Sequence, residues 1–174
     1  MIERRRNWLS ALLFVTGLAA ADAPPIGKPA PAFSLEDQHG RRVSLADFRG
    51  RWVVLYFYPK ADTPGCTREA CHFRDDLATL SALGAQVIGV SVDDTAAQFA
   101  FAKKYSLPFP LLSDRDGAVA RAYGALNDLK LVRFAKRHTF LIDGEGTLRK
   151  VYEKVDTARH AAEIIADLKR LEGA

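Results

Sequence analysis

The sequence predicts an α/β fold, a mixed central sheet flanked by helices, and three observations carry that prediction. Trp52–Tyr58, Gln86–Val92 and His138–Asp143 are largely apolar runs rich in β-branched and aromatic residues, as expected of strands covered on both faces. Between the first two runs, Phe73, Leu77, Leu80 and Leu83 recur at spacings of four, three and three, the period of one helix face. After the last run, Gly144-Glu145-Gly146 turns the chain into Thr147–Tyr152, a late hairpin that a purely parallel sheet would not contain.

The elements follow in order. Asp22–Pro31 holds four prolines and a glycine and reads as an extended lead-in. Ala32–Leu35 and Arg42–Leu45 form a first hairpin around Gln38-His39-Gly40, and Ala46–Gly50 is a helical turn closed by glycine. Trp52–Tyr58 is the central strand, stopped by Pro59. A helix is expected over residues 66–83, with Gly84 as its exit. Gln86–Val92 is the second buried strand. Thr95 caps a helix over Ala96–Lys104 whose Phe99 is expected to face inward. Leu107–Leu112 leads into a short strand, Ala118–Tyr123 is a short helix, and Asn127–Lys136 is a loop with some extended pairing. His138–Asp143 and Thr147–Tyr152 close the sheet. Residues 157–171 place Ala161, Ile164, Ile165, Leu168 and Leu171 on one face of a terminal amphipathic helix. A thioredoxin-like layout fits this order, with a flavodoxin-like sheet as its competitor.

Composition sets the bounds. The chain has 174 residues, 48% hydrophobic and 26% charged, which suits one domain of ordinary globular usage. Long disorder, a coiled coil and a disulfide-dense scaffold are excluded. A net charge of +4 is too mild and too dispersed to imply a nucleic-acid partner.

Part of that charge sits at the start. Arg4, Arg5 and Arg6 stand against Glu3, and Trp8–Ala21 carries no charge. Residues 1–21 therefore read as an export signal, with Ala19-Ala20-Ala21 as the favoured cleavage signature and Ala21-Asp22-Ala23 as the next choice. The apolar run is shorter than the roughly 20 residues that span a bilayer, so no stable membrane association is expected after cleavage. The mature protein is expected in the periplasm or otherwise exported. Arg5-Arg6-Asn7-Trp8-Leu9 fits a twin-arginine route as well as an ordinary basic start. Without residues 1–21 the chain has 153 residues at +2. The expected division is thus an export signal over 1–21, a lead-in over 22–31 and one domain over 32–174.

Chemistry concentrates at Cys66. It follows the central strand and the Pro64-Gly65 turn and opens a helix, where free backbone N–H groups favour an anion. A thiolate at such a position is stabilised, and a reactive role competes with that of an ordinary core cysteine. Cys71, the second of the two cysteines, lies five residues on. Five helical residues advance about 7.5 Å and turn about 140° beyond a full turn, so the two sulfurs cannot bond while the helix is intact. A static disulfide would close only a short loop and stabilise the chain by about 2 kcal/mol. The pair makes better sense as a reversible redox couple.

Pro59-Lys60-Ala61-Asp62-Thr63-Pro64-Gly65-Cys66-Thr67-Arg68-Glu69-Ala70-Cys71 closely resembles the active-site segment of the peroxiredoxins, specifically the bacterioferritin comigratory protein or peroxiredoxin Q subfamily. The resemblance continues through Gly89–Asp93, Leu107–Asp114 and Arg137–Asp143 and covers the chain from about Gly27 onward. It implies a thioredoxin-like fold and a peroxidase that needs no cofactor or metal. Cys66 matches the peroxidatic nucleophile and Cys71 the resolving cysteine. Thr63 and Arg137 match residues that hold and polarise the peroxide. Pro59 matches a proline that shields the pocket, and Glu69 an acidic residue of structural or orienting role. The implied partners are a hydroperoxide substrate and thioredoxin, or an exported thioredoxin-like reductant, acting on a monomer. The competing class is an exported thioredoxin-fold protein for copper delivery or thiol–disulfide exchange, with Cys66, Cys71, His138 and His160 as nominal ligands. His160 itself reads as a surface residue near the last helix start.

Overall fold

In the computed structural model, which describes residues 22–129 and 131–172, the chain runs β1 (Ser34–Glu36), β2 (Arg42–Ser44), a 3-10 turn (Leu45–Phe48), β3 (Trp52–Phe57), α1 (Pro64–Asp75), α2 (Leu77–Ala82), β4 (Ala85–Ser91), α3 (Thr95–Tyr105), β5 (Leu111–Ser113), α4 (Ala118–Ala122), β6 (Leu126–Asp128), β7 (Arg133–Ala135), β8 (Thr139–Ile142), β9 (Leu148–Tyr152) and α5 (His160–Glu172). The expected export signal lies outside the described residues. Seven strands form one sheet in the order β2-β1-β5-β4-β3-β8-β9, and β6 pairs with β7 in a separate hairpin. β3 and β4 run parallel, as do β4 and β5, while β8 lies antiparallel to β3. That mixture is the thioredoxin-like arrangement, and it excludes a purely parallel sheet.

β3 shows why its sequence is apolar throughout. Successive side chains of a strand face opposite sides, and both sides here are covered. Val54, Tyr56 and Tyr58 join Phe73, Leu80, Phe101, Ile164 and Leu168 in one core layer. Val53, Leu55 and Phe57 join Ile88, Val90, Tyr123, Phe140 and Ile142 in the other. The lead-in is pinned beside β9, with the Gly27 and Ala30 N–H groups donating to the carbonyls of Leu148 and Gly146 at 2.8 and 2.9 Å.

Three expectations need correction. The helix expected over 66–83 is two helices, broken at Asp76, whose N–H still reaches the His72 carbonyl. Phe99 does not pack inward: it is 45% exposed, and Gln98, Phe101 and Ala102 form the buried face of α3. Gln98 belongs inside because its amide donates to Ser91 Oγ and the Leu112 carbonyl, and its carbonyl accepts from the Tyr58 hydroxyl. The cap of α3 is Asp94, which accepts from the Ala97 N–H at 2.8 Å, rather than Thr95.

Gly89 sets the depth of the layer under the site. It pairs with Tyr56 on one side and Leu111 on the other. A Cβ there would lie 2.8 Å from the Tyr56 ring and from Leu111. Gly89→Ala is therefore expected to destabilise the protein by about 1–3 kcal/mol through overpacking, read as a lower urea midpoint at unchanged m-value.

Candidate active site

Cys66 sits on the first turn of α1, just beyond the C-terminal end of β3. Thr63 occupies the N-cap position with extended backbone, and Pro64 fills the first helical position, where its missing N–H costs nothing. The Thr67 N–H is taken by the Thr63 carbonyl at 2.8 Å, so Gly65 and Cys66 supply the open donors of the helix head. The Thr63 hydroxyl donates to the Lys60 carbonyl at 2.9 Å, closing the loop before the helix. Pro59 is half-buried at the strand exit. Cys66 is 1% exposed. Cys71 is partly exposed, and both thiols are free.

Arg137 arrives from far along the chain. It lies between β7 and β8, and β8 docks antiparallel on β3. One guanidinium nitrogen, Nη2, donates to Cys66 Sγ at 3.3 Å, while Nη1 bonds Glu69 Oε2 at 2.5 Å. The approach depends on Gly65, since a Cβ there would lie 3.2 Å from Arg137 Nη2. The structure thus brings Arg137 into direct contact with both Cys66 and Glu69, with Thr63 at the helix N-cap and the more exposed Cys71 five residues beyond Cys66 along the helix.

Glu69 is fully buried behind this contact. Burial pushes its carboxyl up to about 7, further than the pull of Arg137 brings it down. Burial works against the charged form of Arg137, but Glu69 and Cys66 outweigh it and raise the guanidinium. A raised acid in the folded state means that the native protein holds its proton more tightly than the unfolded chain. Stability therefore falls as pH rises from about 4.5 to about 7, by an amount on the order of 3 kcal/mol from this group. Glu69→Gln is expected to flatten that slope, measured as urea midpoints from pH 4.5 to 8.

Sequence reasoning missed several neighbours. Tyr56 is one of them, its hydroxyl buried without a hydrogen-bond partner among the described residues, as is Oε1 of the expected Glu69. Asp93 accepts from the Ala61 N–H at 2.8 Å and from Ser91 Oγ at 2.7 Å, tying the loop after β3 to the end of β4. Asp62, in the same loop, has φ 57 and is held by Lys104 and Tyr105. An acidic residue at a strand end is the signal that could have pointed to Asp93. Asp62 stands within the matched segment, but no local signal points to Lys104 and Tyr105 as its partners.

His160 is not a surface residue. It is 1% exposed, bonds Thr139 Oγ1 at 2.8 Å and packs edge-on against Phe73 and Tyr152. Burial lowers its pKa to about 4 despite Glu163 nearby. It is thereby built into the core, and among the described residues no group of three or more His, Cys, Asp or Glu side chains could hold a metal ion. Metal delivery is not favoured.

A thiol at a helix head, under a guanidinium and on a thioredoxin-like sheet, defines a thiol-dependent peroxidase. The comparisons with known proteins agree. Residues 26–151 match the AhpC/TSA family model. The chain is 46% identical over 149 residues to a putative peroxiredoxin bcp of Coxiella burnetii, covering 82% of this chain and 97% of that protein. It is 43% identical over 146 residues to the chloroplastic peroxiredoxin Q of Triticum aestivum, covering 83% of this chain and 67% of that one. A solved structure of the Xanthomonas campestris bacterioferritin comigratory protein, whose alkyl peroxide reduction was followed through a trapped intermediate and ligand complexes, superposes with a TM-score of 0.74 at 35% identity, covering 80% of this chain and 91% of that one. The chain belongs to the AhpC/TSA family, alongside the bacterioferritin comigratory and peroxiredoxin Q proteins.

Proposed function

We propose that Cys66 is the peroxidatic nucleophile and Cys71 the resolving thiol of a peroxidase acting on hydrogen peroxide and organic hydroperoxides. The observation that carries the assignment is the 3.3 Å contact from Arg137 Nη2 to Cys66 Sγ at the head of α1. The Cys66 thiolate attacks the terminal peroxide oxygen and the O–O bond breaks. The leaving alkoxide or hydroxide takes a proton, and Cys66 becomes a sulfenic acid. Arg137 and the open N–H groups of Gly65 and Cys66 face the negative charge that develops on the departing oxygen. Thr63, at the helix N-cap, orients the peroxide, Pro59 shields it, and Glu69 fixes Arg137. Cys71 then attacks the Cys66 sulfur, water leaves, and a disulfide forms once the first turns of α1 unwind. A thioredoxin-like dithiol returns two electrons. Residues 1–21 act as an export signal, so the reductant is exported or draws electrons across the membrane. N-terminal sequencing of the exported protein checks that part.

The redox assignment is tested by counting free thiols before and after one equivalent of hydrogen peroxide. Two thiols are expected to disappear together, with one intramolecular disulfide. Cys71→Ser is expected to undergo the first oxidation within about two-fold of the normal rate while losing at least about ten-fold in steady-state turnover with a thioredoxin-like donor, leaving a trappable sulfenic acid. A Cys71→Ser protein that still cycled at full rate would remove Cys71 from the mechanism.

A further inference from the structure

Tyr105, the last residue of α3, touches both ends of the helix that carries the two cysteines. Its hydroxyl donates at 2.7 Å to Asp62, two residues before α1, and its carbonyl accepts at 2.7 Å from Arg74 Nη1, near the end of α1. Lys104 adds contacts to both Asp62 carboxylate oxygens at 3.0 and 2.8 Å. We propose that Tyr105, with Lys104 and Asp62, is a latch that braces α1 from both ends and sets how fast it opens for disulfide formation. The proposal rests on the Cys66–Cys71 disulfide inferred above.

The anchor side of the latch is rigid. The Tyr105 ring packs edge-on against Phe101, which is 1% exposed. α3 ends immediately after it at Ser106, in the left-handed region at φ 53, with the Ser106 N–H turned back onto the α3 carbonyls. The loop side is fixed on its other flank, where Asp93 holds the Ala61 N–H. Asp62 therefore sits between a clamped residue and the helix start, in a left-handed conformation that Asp tolerates better than most residues. Lys104 and Tyr105 hold its carboxyl below the usual carboxylate range.

The latch is also built to release. α1 spans about 18 Å, and Cys66 cannot reach Cys71 without unwinding turns that lie between the two tethered ends. The contacts to Asp62 are solvent-exposed, and exposed pairs of this kind are individually weak. They hold the sulfenic acid in the folded helix for a time but do not forbid opening. In that interval Cys66 is open to a second peroxide, which makes it a sulfinic acid, and only once the helix opens does it condense with Cys71, losing water. The latch thus divides the flux between turnover and overoxidation.

Rapid mixing of the full-length protein with hydrogen peroxide separates a second-order oxidation from a first-order disulfide step. Tyr105→Phe keeps the ring and the carbonyl, Lys104→Met removes the cation, and Asp62→Asn keeps the tolerance for positive φ. The Tyr105→Phe/Lys104→Met double variant is expected to raise the first-order step about three- to ten-fold, with the second-order step within about two-fold of normal. The peroxide dose giving half sulfinic acid, read by mass spectrometry, should rise in step, and backbone amides of residues 67–75 should exchange hydrogen faster in the reduced protein. Asp62→Asn should act in the same direction. An unchanged or slower first-order step in these variants, with normal disulfide formation in the parent, overturns the latch alone. Absence of the disulfide in the parent overturns the Cys66–Cys71 assignment and the latch with it.

Discussion

Cys66→Ser is expected to lower the second-order rate constant for hydrogen peroxide by at least about 10⁴-fold, because a hydroxyl in the same place offers no comparable nucleophile. The substitution is nearly isosteric, and the serine oxygen can still accept from Arg137, so the urea midpoint should move little. The measurement is peroxide consumption by the purified variant, with Cys71 left in place. Cys71 alone should not rescue the reaction, since it lies a turn further along α1, and the guanidinium nitrogen that contacts sulfur is directed at Cys66. Turnover above a few per cent of the parent would mean that the chemistry lies elsewhere.

Arg137→Met should have the second-largest effect, and it should appear in two separable ways. The peroxide rate constant is expected to drop about 10²- to 10³-fold as the charge facing the departing oxygen is lost. Stability should also fall, because Glu69, left buried without Arg137, must take up a proton, at a cost of about 1.4 kcal/mol at pH 8. That second loss should shrink below about pH 7, where the raised carboxyl of Glu69 takes up a proton. The Arg137→Met/Glu69→Gln pair is therefore expected to recover stability at pH 8 while remaining slow. Recovery of rate along with stability would make Arg137 a structural residue only.

Much of this architecture can be read from the chain. Trp52–Phe57, Ala85–Ser91 and Thr139–Ile142 announce themselves because strands covered on both faces must be apolar at nearly every position. The site is legible for a different reason: Cys66 after Pro64-Gly65 at a strand exit, with Thr63 and Cys71 at fixed offsets, resembles the active-site segment of the peroxiredoxins. What stayed hidden depends on partners distant in sequence. Gln98 looks like an exposed residue until Ser91 and Leu112 are seen to satisfy its amide, and that exchange turns Phe99 outward. His160 reads as surface until Thr139 bonds it from β8. The β6–β7 hairpin was obscure because its strands have three residues each and its tip exposes Leu129, Leu131 and Val132, which gives no periodicity to follow. Asp62 and Tyr105 stand 43 residues apart, and nothing within either neighbourhood points to the other.

Arg137 lies 71 residues beyond Cys66 and reaches it only when the last part of the sheet is in place. A chain emerging from the ribosome carries its cysteine long before it carries the group that faces it. During that interval Cys66 is an ordinary thiol with no peroxide site around it. If Cys66 is the peroxidatic thiol proposed above, completion of β8 works as an arming step, because only the closed molecule sets Arg137 against the sulfur.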